Sequence, residues 1–153
     1  MTRLIFVLLT LLFSLIGPAT RANGEICNFA IAAKSVATPH GIAYQANTPA
    51  ARAALGEVQS GATVYRQGSF GVRNTADAQF WSLQNPATTR GFANQMGMPS
   101  SAAKPDWIMG GTVSPGSPVI TRPAPGIGAN AGGSIEAVVP SGGVRNLWFH
   151  MPD

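Results

Sequence analysis

The sequence predicts an α+β fold with antiparallel strands, and three observations lead there. The periodic segments come in the order helix, two strands, helix, four strands, with no helix between the late strands to serve as a parallel crossover. The chain carries 18 Gly and 12 Pro, which cut it into short pieces separated by turns. Beyond residue 22 the only leucines are Leu55, Leu83 and Leu147, too few to line long helices.

The first helix is set by Thr48 as cap, Pro49 at the first helical position and Gly61 as stop, with Ala50, Ala53, Ala54 and Val58 expected on one side. Ala62 to Gly68 is β-branched and aromatic and closes on glycine, so it reads as a strand carrying Arg66 near its end. GVRNTADA is a loop. Gln79 to Leu83 reads as a second strand ended by Asn85-Pro86, and Ala87 to Met96 as a short helix stopped by Gly97 and Pro99. Four more strands are expected at Trp107 to Met109, Pro118 to Thr121, Ser134 to Val139 and Val144 to Phe149. The segments SPGS, PAPGIGANAGG and PSGG between them are turn chemistry. Residues 23–46 lack a clear period: ICNFAIAA fits a strand or a short buried segment, and SVATPHG breaks it.

The N-terminus reads as an address. Met1-Thr2-Arg3 is a short positive region, Leu4 to Gly17 is an apolar run of 14 residues, and Ala22 stands at a cleavage point. Fourteen helical residues rise about 21 Å, short of the roughly 30 Å hydrocarbon core of a bilayer. The expectation is a secretory signal peptide over residues 1–22, a single domain over residues 23–153, a secreted or periplasmic location, and no stable membrane association after cleavage.

The chain is 45% hydrophobic and 10% charged, with one cysteine. That excludes a disordered charged tail and a disulfide scaffold. The formal charge of +4 falls to +2 once Arg3 and Arg21 leave with the leader. The remaining basic residues are scattered singly, so no basic stripe offers itself to a phosphate backbone. Cys27 has no evident histidine or other cation to activate it and reads as a spectator. Gly126-Ile127-Gly128 is not followed by a helix, and no Cys/His/Asp spacing fits a metal.

Two charged residues stand out because of where they fall. Glu136 interrupts the apolar strand Ser134 to Val139, after a glycine-rich loop that lets a ligand come close. Such a carboxylate either faces water or sits in a cleft. Arg66 interrupts Val64-Tyr65-Arg66 and is followed by small, permissive residues. It is either an edge-strand arginine in water or a fork for phosphate. A small ribonuclease using His40 or His150 with Glu136 as general acid and base stays open. So does a non-enzymatic β-rich binding module with Trp81, Trp107 and Trp148 as contact aromatics.

Val64-Tyr65-Arg66, Phe80-Trp81-Ser82 and Ser134-Ile135-Glu136 resemble, in order, the arginine, aromatic-hydrophobic-serine and glutamate motifs of the ADP-ribosyltransferase toxins. FWSLQNP, the segment ending in MGMP, and VITRPAPGIGANAGGSIEAVVP resemble toxin domains at the C-termini of Rhs-type bacterial polymorphic toxins. The resemblance runs from Tyr65 to Phe149. It implies an ADP-ribosyltransferase-like fold, a small split antiparallel sheet with two short helices and a cleft for NAD. NAD is then a substrate, and no metal is called for.

In that scheme Glu136 is catalytic, accepting the ribose 2′-hydroxyl and stabilising positive charge as nicotinamide leaves. Arg66 holds the NAD phosphates or the nicotinamide ribose, Ser82 supports the pocket wall, and Phe80 or Trp81 shapes it. The loop from Arg122 to Gly133 presents the acceptor. Enzymes of this kind that modify arginine carry Gln or Glu two residues before the catalytic Glu, whereas this chain has Ser134. The acceptor is then another amino acid, a nucleic acid, or water. An immunity protein is an expected partner, since a producer of such an enzyme needs protection.

Overall fold

A computed structural model describes residues 35–70, 77–102 and 104–152 of the chain. The expected leader over residues 1–22, Cys27 and most of the GVRNTADA loop lie outside the described residues. The architecture is α+β, with every strand pairing antiparallel. The strands are β1 (Ser35–Thr38), β2 (Gly41–Tyr44), β3 (Thr63–Gly68), β4 (Phe80–Ser82), β5 (Trp107–Val113), β6 (Ile120–Pro123), β7 (Ile135–Val138) and β8 (Val144–His150). The helices are α1 (Pro49–Gln59) and α2 (Phe92–Gln95).

Helix α1 begins as its sequence requires. The Thr48 hydroxyl accepts a hydrogen bond from the Ala51 amide, Pro49 opens the first turn, and Gly61 leaves at φ +88. Its buried stripe is Ala51, Ala54, Leu55 and Val58, so Ala50 and Ala53, expected on the inner side, face outward. The stripe at i, i+3, i+4 and i+7 brings Leu55 inside, which is the larger apolar gain.

Two segments differ from expectation. The second helix is four residues long rather than ten, because Asn85 captures the chain first. Its side chain accepts from the Ala87 amide and its carbonyl from the Thr88 and Thr89 amides, forming a turn in place of a helical start. SVATPHG does not break a strand but makes a hairpin. Thr38 pairs with Gly41 around Pro39-His40, the Thr38 hydroxyl donates to the Gly41 carbonyl, and Val36 and Ala43 point to the core. The expected strand at Pro118 to Thr121 is shifted to Ile120–Pro123, and Trp107 to Met109 extends through Val113.

Six strands form one sheet in the order β6-β7-β4-β3-β5-β8. It is nearly divided. β3 runs alongside β5 from Thr63 to Gly68, and β4 runs alongside β7 over its whole length, but β3 meets β4 only where Tyr65 pairs with Ser82. Strand alternation then assigns two faces. On one, Val64, Trp81, Ala137 and Val139 pack with Leu55 and Val58 of α1. On the other, Phe80, Ile120 and Val138 pack under Val36 and Ala43 of the β1–β2 hairpin. The hairpin covers only that row, and the next row toward the other end of β4 and β7 is left uncovered by it.

Candidate functional site at the split in the sheet

The uncovered row runs straight across the sheet. Register pairs Trp148 with Gly110, Gly110 with Tyr65, Tyr65 with Ser82, Ser82 with Glu136, and Glu136 with Arg122. These positions therefore share one face. Where the two halves of the sheet meet, an open cleft of about 160 Å³ is lined by Tyr65, Arg66 and Gln67 of β3 and Phe80, Trp81 and Ser82 of β4. Glu136 of β7 closes one side, and Phe92, Met96 and Met98, in and after α2, supply an apolar wall. A mostly apolar lining with a few polar groups is the usual make-up of small-molecule sites.

Glu136 is 5% exposed. Its Oε1 accepts a hydrogen bond from Nε of Arg122 at 2.9 Å, the one ion pair among the described residues. Burial pushes the Glu136 carboxyl above its ordinary range, and the Arg122 hydrogen bond and charge pull it part of the way back. A carboxylate so placed is short of water and held by one cation, which suits it to stabilise positive charge nearby. Ser82 is buried, and its hydroxyl accepts from the Gln84 amide. This fixes the turn by which the chain leaves β4.

Trp81 lines the cleft from within the core: it is 1% exposed, and its indole N–H donates to the Ala78 carbonyl at 2.8 Å. Phe80 is half-buried, beside the His40 ring. Arg66 also borders the cleft, but it pairs with Met109 and alternates with Tyr65, which sets it in phase with Val64 rather than with Glu136. Burial lowers its pKa from the ordinary guanidinium value, and it has no carboxylate partner among the described residues. The five residues singled out from sequence, Arg66, Phe80, Trp81, Ser82 and Glu136, thus border one cleft. Tyr65, Ser82 and Glu136 lie in one row, and Arg66 stands a residue out of step with it.

His150 lies elsewhere. It is exposed on β8 opposite Ile108, four strands from β7, about 19 Å at ordinary strand spacing. Among the described residues no histidine lines the cleft. No group of three or more His, Cys, Asp or Glu among the described residues could hold a metal ion.

Sequence reasoning missed Arg122 as a partner of Glu136, and missed Tyr65 and Gln67 as cleft residues. The signal for Arg122 lay in the two apolar segments flanking a glycine-rich loop, which form a hairpin. Only the shape of that loop sets residue 122 opposite residue 136. The loop is tied to α2 by the Asn94 carbonyl, which accepts from the Gly132 amide, and by the Gln95 carbonyl, which accepts from the Ser134 amide. Comparison with family models, with curated proteins and with solved structures returns no match.

Proposed function

We propose that the chain cleaves NAD at the nicotinamide–ribose bond and transfers ADP-ribose to a macromolecular acceptor or to water, as a toxin or effector of ADP-ribosyltransferase-like fold. One observation carries the reading: residues named by motif resemblance on three separate segments border a single cleft where the sheet divides. A binding module has no need to gather a half-buried arginine, a buried serine and a buried carboxylate at one opening.

In this proposal the C–N bond to the ribose breaks with its electron pair leaving on nicotinamide. The acceptor or water adds to the ribose carbon and gives up its proton to solvent, since nicotinamide leaves as the neutral base. Glu136 accepts the ribose 2′-hydroxyl and offsets the positive charge that develops on the sugar, a role for which a preorganised anion in a poorly hydrated site is worth more than one in water. Arg122 favours the ionised form of that carboxylate, against the burial that opposes it. Arg66, whose charged form burial disfavours, gains most from an anion, and the gap between β3 and β4 is the route by which a phosphate reaches it. Phe80, Phe92 and the two methionines give apolar surface to a planar ring. Secretion and an immunity partner belong to the same reading.

The test is nicotinamide release by the purified protein. Arg66→Ala and Glu136→Gln are each expected to lose at least about 10² in rate with the fold intact. Full activity in either variant contradicts the assignment of that residue. The ribonuclease alternative has less support: among the described residues no histidine lines the cleft, and His40 comes near it only beside Phe80.

A further inference from the structure

Trp148 is a large apolar side chain that the fold leaves 43% exposed. Its indole lies over Gly110: a methyl group at position 110 would run into the ring. Glycine in the middle of a strand is unfavourable unless something must come close, and here the close neighbour is the Trp148 ring itself. The Tyr65 ring meets it edge-on, with centroids 6.0 Å apart and planes at 74°. Two aromatic rings therefore form a corner, one lying along the sheet and one standing beside it.

This corner is continuous with the cleft, because Tyr65 belongs to both. It lies on the same cross-strand row as Ser82, Glu136 and Arg122. Tyr65 is two strand spacings from Glu136, roughly 10 Å, and Trp148 lies beyond it. A ligand whose sugar sits at Glu136 and whose second ring system reaches the corner must carry two rings joined by a spacer of riboses and phosphates. Trp81 and Trp107 are buried, so Trp148 is the indole with a face to offer.

Resting on the reading of the cleft as an NAD site, we infer that Tyr65 and Trp148 form the subsite for the purine end of the dinucleotide, stacking its base while the nicotinamide ribose lies at Glu136. The corner is a binding element and takes no part in bond cleavage.

The test pairs calorimetric titration of the purified protein with AMP and kinetics of nicotinamide release. Trp148→Ala is expected to weaken AMP binding and to raise KM for NAD by about tenfold, the scale of one stacked base, with kcat changed less than about twofold. Trp148→Phe, which keeps a ring over Gly110, is expected to retain most of both. Nicotinamide mononucleotide, which lacks the purine, should bind wild type and Trp148→Ala alike. Nicotinamide release that depends on Glu136 but has an unchanged KM in Trp148→Ala overturns the inference and leaves the NAD reading standing. AMP binding lost in Trp148→Ala, from a protein that never releases nicotinamide, upholds the corner and overturns the cleavage chemistry. No AMP binding by the wild-type protein overturns the corner.

Discussion

At the scale of single residues the decisive balance is at Glu136. Burial favours its neutral form and Arg122 favours its charged form. Removing Arg122 removes the second influence alone, so Arg122→Gln is expected to shift the acid limb of the nicotinamide-release profile to higher pH, with Arg122→Lys restoring part of the shift. Tyr65 and Arg66, which also border the cleft, are unchanged in both variants. An acid limb that stays in place would show that Arg122 does not govern the ionisation used in catalysis.

The same carboxyl has a consequence for stability. Its folded pKa lies above its unfolded one, so the folded state binds more protons, and the stability contributed by Glu136 falls as pH rises from about 4 through the raised value. Glu136→Gln, whose amide oxygen can still accept from Arg122, is therefore expected to match the wild type near pH 4 and to be equally or more stable at pH 7, while losing activity. Thermal unfolding at the two pH values measures this. A large loss of stability at pH 7 would mean that the ion pair chiefly serves the fold. Glu136 was legible as an acid in an apolar strand. Arg122 was not, because its role comes from a register between residues 14 positions apart.

At the scale of elements, the strands that carry the cleft agree with their sequence patterns to within a residue or two, because β-branched and aromatic runs ended by Gly or Asn-Pro leave few alternatives. Helix α2 is shorter than its sequence pattern, since the local hydrogen bonds of Asn85 outcompete helix propensity over residues 87–89. The segment after α2 matters more to the cleft than the helix itself. Gly97 sits at φ +58 with its backbone against the Pro125 carbonyl, so any side chain there is both strained and crowded. Gly97→Ala is expected to cost about 1–3 kcal/mol, a fall of several degrees in Tm. It should also weaken NAD cleavage, because Met96 and Met98 of the cleft wall flank it on either side. Unchanged stability and activity would show that the loop before β7 is not braced there.

At the scale of the whole molecule, the sheet is two three-stranded halves that share a core but touch along their seam at one residue pair. α1 covers one face, the β1–β2 hairpin covers part of the other, and the uncovered part of that second face is where the cleft opens. This division of labour was only partly legible. The antiparallel α+β class is encoded in element order and turn composition, whereas the hairpin was hidden by a Pro-His turn that read as a break. Which side chains meet at the seam depends on strand order, and strand order is a long-range property that local pattern does not encode.

Whether this seam is a site of NAD chemistry is measured most directly by nicotinamide release from NAD by the purified protein beside its Glu136→Gln variant. Release by the wild type, reduced at least about 10² in the variant with its fold retained, is the predicted result. Release that persists undiminished in Glu136→Gln, or none from the wild type with either water or a cell lysate as acceptor, would contradict it.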